Sequence, residues 1–273
     1  MLRLQVLICT IGREGIERIS HTHYPQVEGV GYLVSWQQPD EHIDTPSTLL
    51  RDDMQVCITP TRGICRNRNH AISCATAPLC LMTDDDVTYT AEELNGLIRT
   101  FDENPEVELM TVQYSTSEAY RKAYPEYSFD LRHRPRGYYV SAIEIAFRRE
   151  AVVGRVAFCE NISLGTPVLR CGEEDVFIKD VLDAGIVSRY CPIVVGTHAH
   201  ASTAARDGGE PYFLMTKGAV FSYVHRRTWF LRLLVNAWRS RKQGIPFFRF
   251  MRYTLSGVRY ARRHQVFSHK SGR

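Results

Sequence analysis

The 273 residues, 44% hydrophobic and 23% charged, form a chain long enough to bury a sizeable core, which excludes a disordered or low-complexity protein. Residues 1–210 hold 20 Lys and Arg and all 30 acids, whereas residues 211–273 hold the other 14 Lys and Arg and no acid. Leu4-Gln5-Val6-Leu7-Ile8 is too short for a secretory leader, and no apolar run reaches the roughly 18 residues of a spanning helix. The eight cysteines (9, 57, 65, 74, 80, 159, 171 and 191) include no Cys-x-x-Cys pair, so neither a disulfide framework nor a zinc site is expected, and a reducing cytoplasm is the expected setting.

In chain order, residues 2–10 read as a first buried strand ended by Ile11-Gly12-Arg13, and a helix begins at Gly15. Residues 30–36 and 53–58 read as the next strands, and residues 66–76 as a helix. Pro78 to Thr83 is an apolar run of strand length that ends in three aspartates, Asp84, Asp85 and Asp86. Thr90-Ala91-Glu92-Glu93 is a capping box that opens a helix over 90–104. Residues 107–112 resume strand character, 114–137 form an aromatic, basic and irregular loop, and 138–148 read as strand again. A helix is expected over 172–182 with Gly185 as its C′ residue, then a strand over 190–195 ending in Gly196-Thr197-His198-Ala199-His200. Strands alternating with helices predict an α/β fold with a mostly parallel central sheet over 1–210, followed by a basic helical extension over 211–273.

Three adjacent carboxylates at a strand tip repel one another, and the helix that follows already has its own cap. A divalent cation with a phosphate-bearing substrate removes that conflict, because magnesium and manganese take hard oxygen ligands. Upstream, Arg62-Gly63-Ile64-Cys65-Arg66-Asn67-Arg68-Asn69 places fixed cations at a helix start, which suits a pyrophosphate. Downstream, Glu173-Glu174-Asp175 opens a helix; a carboxylate there could deprotonate an acceptor hydroxyl. His198 and His200 alternate at a strand end and so face one way, toward a metal or phosphate, whereas His21 and His23 lack acidic company and read as surface.

These pieces resemble glycosyltransferase family 2, whose fold is the GT-A nucleotide-diphospho-sugar fold. Gly63 to Ile72 resembles that family's G-x-x-x-A-R-N-x-x-I segment, and Leu81 to Asp86 its D-x-D strand end. Phe147-Arg148-Arg149-Glu150 with Phe158-Cys159-Glu160 resembles its acceptor-side motifs, and Glu174-Asp175 its base motif. The likeness spans about residues 3–205, and its pieces are specific in combination rather than singly. It implies an inverting transfer of a sugar from a nucleotide-diphosphate donor, UDP-linked first, to a glycan or lipid-linked hydroxyl, in surface polysaccharide synthesis, with Mn2+ or Mg2+ as cofactor. It also implies that Thr10, Gln37, Arg66, Arg68 and Asp84 contact the donor. Asp85 is then the main metal ligand with Asp86 and His198 or His200 beside it, and Asp175, supported by Glu174, is the base. Two departures stand out: Gln37-Gln38 replaces an acidic pair common near the base moiety, and Thr83 stands where the first acid of D-x-D is usual.

In the basic segment, Trp229, Phe230, Leu233, Leu234 and Ala237 form an apolar stripe flanked by Arg227, Arg239, Arg241 and Lys242. That pattern predicts a helix lying on an anionic membrane surface, on the inner face of the plasma membrane, with nucleic acid not expected as a partner. The competing enzyme reading is a haloacid-dehalogenase-like phosphatase using Asp84 and Asp86 of Asp84-x-Asp86-x-Thr88; it lacks the later G-D-x-x-x-D. The competing non-enzymatic reading is a sugar-nucleotide-binding partner of a membrane assembly.

Overall fold

The structure, a computed structural model, describes residues 1–38, 42–116, 122–198 and 210–268. Two compact units divide the chain. The first comprises residues 1–62, 66–157 and 181–201. It begins with β1 (Leu4–Ile11), α1 (Gly12–His21), β2 (Val30–Gln37), β3 (Met54–Thr59), α2 (Ile64–Cys74) and β4 (Leu79–Asp84). β2 is buried at every position, as the continuous run Val30 to Gln37 requires of a parallel strand covered on both faces. These four strands are parallel in the order β3-β2-β1-β4. The chain therefore grows outward from β1 and then returns through α2 to add β4 on the other side. That reversal opens a crevice at the carboxyl ends of β1 and β4, where open α/β sheets bind ligands.

The sheet continues through β5 (Val87–Thr88), α3 (Ala91–Glu103), β6 (Leu109–Thr116), β7 (Phe129–Asp130), β8 (Ile145–Arg148), α4 (Arg149–Val152), α5 (Glu173–Asp183) and β9 (Ser188–His198). Among the described residues the sheet has nine strands, in the order β3-β2-β1-β4-β8-β6-β9-β5, with β7 on β9. The parallel ladders are those of β1 to β4 and of β6 with β9; β8 runs antiparallel between β4 and β6. The Thr90–Glu93 capping box forms, and α3 buries Leu94, Leu97, Ile98 and Phe101. α5 ends as the glycine predicts: Gly185 has φ +75°, its N–H donates to Leu182 O and that of Ile186 to Val181 O.

The strand expected over 138–148 forms only at Ile145–Arg148. Ser141 and Glu144 instead close a capping box around a 3₁₀ turn, and the buried Glu144 carboxylate accepts from Lys122 Nζ at 2.6 and 2.7 Å and from Tyr124 OH at 2.7 Å. The irregular 114–137 segment is anchored by this pair and by aromatic packing. Phe129 stacks on Tyr190 with centroids 4.8 Å apart, and Tyr138 meets both rings.

The second unit comprises residues 63–65, 158–180 and 202–273, with α6 (Pro211–Val224), α7 (Trp229–Ser240) and α8 (Phe247–Arg263). It differs from a boundary at 210, because residues 158–180 share its core. Cys159, Ile162, Leu169 and Val176 pack with Ala219, Val220, Ala261 and Val266, and Phe158 stacks on Phe177 with centroids 4.1 Å apart. α6 and α8 approach through glycine. A Cβ on Gly218 would lie 2.0 Å from Thr254 O, and one on Gly257 1.8 Å from Met215 O.

The apolar stripe of α7 also turns out differently. Leu233 and Ala237 are buried among Leu214, Phe250, Met251 and Val258, with Trp229 and Leu234 packed against them. Those four find their apolar partner in α6 and α8, which sequence periodicity of α7 alone does not reveal, while Phe230 of the same stripe stays 45% exposed. A different face of α7 remains exposed, with Leu231 at 64%, Val235 at 47% and Trp238 at 62%.

Candidate active site

The crevice of the first unit is built from the ends of β1 and β4. Thr10 is the penultimate residue of β1, and Cys9 pairs in register with Asp84, so Asp85 emerges beside Thr10. The Thr10 hydroxyl donates to Asp85 Oδ2 at 2.5 Å, and Arg18 of α1 donates to Asp85 Oδ1. α1 comes this close because residue 15 is glycine: a Cβ there would lie 1.9 Å from Thr10 Oγ1 and 2.9 Å from Asp85 Oδ2. Asn67, buried on α2, donates from Nδ2 to Thr10 O at 2.8 Å. Arg68 is buried with its guanidinium 3.5 Å from Asp84, while Arg66 is exposed. Gln37, at the end of β2, is buried and donates to Thr61 Oγ1 at 2.9 Å.

β5 carries the third aspartate to a second strand. Val87 pairs with His198 across an antiparallel ladder, which brings His198 Nε2 within 3.2 Å of Asp86 Oδ1. The neighbouring carboxylates are thereby split. Burial raises the Asp85 pKa above the ordinary carboxylate value, with Thr10 and Arg18 offsetting only part of that rise. Burial acts the same way on Asp86, but the contact with His198 outweighs it and the net shift is downward. Asp86 therefore keeps its charge to lower pH than Asp85 does.

Thr10, Arg68, Asp84, Asp85, Asp86 and His198 are thus gathered in the first unit, together with Arg18 and Gly15. Glu174 and Asp175 lie in the second unit, in the first turn of α5 behind Gly172, whose φ is +81°. Glu173 is buried there, whereas Glu174 and Asp175 are half-exposed. His200 falls outside the described residues.

The donors fit a divalent cation in part. Asp86 Oδ1 is shielded from water and accepts no well-aligned hydrogen bond, although His198 Nε2 is close by. A carboxylate oxygen and an imidazole nitrogen so placed are suitable ligands for manganese. No three His, Cys, Asp or Glu side chains among the described residues form a complete cage. A bound ion would therefore take its other ligands from substrate phosphates and water, as magnesium and manganese do in phosphate-handling sites.

Sequence comparison locates this crevice in a known family: the description "Glycosyl transferase family 2" matches residues 40–152, which include Arg66, Arg68 and all three aspartates. Residues 40–152 thus match glycosyl transferase family 2, the family that the motifs resemble. The fold is the GT-A fold expected from those motifs, and the phosphatase reading is withdrawn. The matched span stops short of Glu174, Asp175 and His198.

Among curated proteins none matches the sequence significantly. Solved structures share the fold at low identity. The 1–349 fragment of S. aureus TarS is 12% identical, with 97% of this chain and 92% of that one covered and a TM-score of 0.60; that fragment is also solved with UDP and with UDP-GlcNAc. A mannosyltransferase from Pyrobaculum calidifontis, solved with GDP-Man and Mn2+, is 15% identical, with 96% and 75% covered and a TM-score of 0.55. Against the longer TarS structure this chain spans 39% of that chain's length, at 13% identity, 81% coverage of its own length and a TM-score of 0.56.

Arg18 and Gly15 were not singled out from sequence. The signal that could have found them is their spacing: three residues apart on one helix, they share a face, and that helix directly follows β1.

Proposed function

We propose that this glycosyltransferase moves a sugar from a nucleotide-diphosphate donor, UDP-linked first, to a hydroxyl of a glycan or lipid-linked acceptor, with inversion and with a divalent metal, in surface polysaccharide synthesis. The observation that carries the reading is the convergence of Thr10, Arg68 and the three aspartates at the reversal of strand order, with His198 delivered to Asp86 by β5. In this reading Asp86 and His198 hold the manganese or magnesium ion, which when bound neutralises charge on the donor diphosphate. Asp84 and Arg68 orient the nucleotide, and the Arg68 charge favours the diphosphate. Asp85 acts through its neighbours: by engaging Thr10 and Arg18 it fixes the end of β1 and the start of α1 around the donor. Asp175, aided by Glu174, accepts the acceptor hydroxyl proton, and the oxygen attacks the anomeric carbon on the face opposite the leaving diphosphate.

In this reading Gln37, at the end of β2, meets the nucleobase. As a neutral amide it offers both a donor and an acceptor to the nucleobase, in place of the acidic pair common there. The TarS fragment with UDP-GlcNAc and the mannosyltransferase with GDP-Man and Mn2+ make those two donors the first to try. Calorimetric titration with UDP-GlcNAc, UDP-glucose and GDP-mannose, each with and without manganese, tests the reading. A UDP-sugar should bind, and more tightly with metal; failure of every nucleotide sugar to bind would overturn it. Binding without any nucleotide release on adding acceptor would favour the non-catalytic partner instead.

The second unit supports a peripheral membrane setting at the cytoplasmic face. No described helix is long and apolar enough to cross a membrane. Yet Leu231, Val235 and Trp238 line one exposed face of α7, and Phe248 is 83% exposed at the start of α8. Exposed Arg227, Arg232, Arg239, Arg241, Lys242 and Arg249 accompany them, with no acid anywhere in residues 211–273. Aromatic and aliphatic groups among cations suit the interface of an anionic leaflet, where a lipid-linked acceptor would be held.

A further inference from the structure

His198 reaches Asp86 through two local features of β9. The first is a bulge. Gln113 pairs with Val194 and Ser115 with Thr197, so residues 194–197 of β9 run beside residues 113–115 of β6 with one residue in excess. An extra residue inverts the alternation of the side chains beyond it and re-aims them. Without it Thr197 would stand opposite Thr116, with His198 one place further on. With it His198 takes that position and pairs with Val87 on its other side. Ser115 Oγ, 2.7 Å from Thr197 Oγ1, ties the two strands together just past the bulge.

The second feature is Gly196, inside that bulge. β5 forms the edge of the sheet, is two residues long, and pairs only with β9 among the described residues. So short a ladder leaves the placement of β5 to packing. Continuing the antiparallel register by one residue sets Gly196 opposite Tyr89. A Cβ on Gly196 would lie 2.8 Å from Tyr114 Cε1, 2.9 Å from Thr88 O and 3.0 Å from Tyr89 Cε1. Gly196 is not among the glycines with positive φ, so the need is for space and not for a special backbone conformation. Both rings are buried; they meet edge to face with centroids 6.5 Å apart and bring their hydroxyls to 3.4 Å. A ring can repack, but Thr88 O is backbone and belongs to β5. A side chain at residue 196 therefore pushes β5 off β9, and β5 follows Asp86 directly in the chain.

We propose that Gly196 is a positioning residue: by leaving room for Thr88, Tyr89 and Tyr114 it allows β5 to close on the bulged end of β9, and so sets the approach of His198 to Asp86. The functional weight of that approach rests on the reading of Asp86 and His198 as metal ligands given above; the packing of β5 on β9 does not.

The test measures manganese affinity of the full chain with UDP by calorimetry, alongside amide exchange of peptides covering residues 85–90. Gly196→Ala should weaken manganese binding about tenfold, the scale on which groups that orient metal ligands act. It should also speed exchange over residues 85–90 and leave metal-free UDP affinity unchanged. Phe101→Leu, a cavity at the far end of α3, should lower the melting temperature and keep manganese affinity. Gly196→Ala combined with Tyr114→Leu removes the nearer ring, so stability should recover while manganese affinity stays low, because Thr88 O is still crowded. Wild-type manganese affinity in Gly196→Ala, or joint recovery of stability and affinity in the double variant, would reduce Gly196 to a packing residue and overturn the proposal. A wild-type chain whose UDP binding ignores manganese would remove the metal reading instead. Exchange over residues 85–90 then decides whether Gly196 holds β5 to β9, and an unchanged rate in Gly196→Ala would overturn that as well.

Discussion

Gly15→Ala tests the construction of the crevice most sharply, because local propensity and tertiary geometry give opposite signs. Residue 15 lies inside α1, and alanine in a helix interior is favoured over glycine by roughly 0.5–1 kcal/mol. The added methyl, however, would sit 1.9 Å from Thr10 Oγ1 and 2.9 Å from Asp85 Oδ2. Thr10 is buried on β1 and α1 packs on that strand, so the hydroxyl is what can yield. Swinging it away sacrifices a hydrogen bond to a charged acceptor, about 1.5–3 kcal/mol. Net of propensity, Gly15→Ala should destabilise the protein by about 1–2 kcal/mol. It should also weaken UDP binding, since Thr10 and Asp85 lose their mutual support.

The assay is guanidinium unfolding of a double-mutant cycle with Thr10→Ala. Thr10→Ala removes the nearer colliding oxygen. It leaves Asp85 Oδ2 at 2.9 Å, the end of a side chain that can turn aside, and a Cβ at 3.3 Å that a small shift relieves. Gly15→Ala should therefore cost much less in that background, giving an interaction energy of about 1 kcal/mol or more. A stabilised single variant, or additive effects in the cycle, would refute the account of how α1 and β1 meet.

Asp175→Asn should leave donor affinity nearly unchanged while lowering turnover by at least about 100-fold, and normal turnover in a nucleotide-release assay would end its assignment as base. Glu144→Gln leaves the buried Lys122 ammonium against a neutral amide and should cost about 3 kcal/mol in chemical unfolding. Adding Lys122→Met should recover much of that loss, and an additive double variant would count against the pair. Gly257→Val drives a side chain into Met215 O and should destabilise the helical unit by about 3 kcal/mol; an unchanged melting temperature would contradict the close α6–α8 crossing. Trp238→Glu combined with Leu231→Glu should abolish sedimentation with anionic vesicles at low salt without changing UDP affinity, and persistent sedimentation would rule out this face as the membrane contact.

Much of the first unit was legible because β1, β2 and β4 are buried nearly throughout and read as continuous apolar runs. The β1, β2, β3 and β4 segments were each placed to within about two residues, an ordinary margin for element ends. The segment 138–148 was misread for a physical reason: β-branched and aromatic residues fit a strand, but Ser141 and Glu144 satisfy each other's backbone and stop the strand short. The 158–180 segment shows a different limit. Nothing in its composition says that Val176 and Leu169 pack with helices beginning at Pro211, because that contact depends on which apolar surfaces remain uncovered after the sheet is filled.

The aspartate triplet marks the same limit inside the site. Its chemistry was plain from sequence, since three carboxylates at a strand tip need a counter-charge. Which carboxylate does which work was not, because adjacent residues leaving a strand diverge and each meets partners far away in sequence. Asp85 turns toward β1 and α1 and meets Thr10 and Arg18, while Asp86 meets a histidine that arrives only when β5 pairs with β9. A carboxylate already saturated by a hydroxyl and a guanidinium is a poor metal ligand, for it must surrender both to accept the ion. One that is held anionic, with an oxygen that accepts no well-aligned hydrogen bond, has less to surrender. On that argument the metal role expected for Asp85 passes to Asp86. Asp86→Asn should then remove the manganese enhancement of donor binding, and Asp85→Asn should loosen α1 while retaining it.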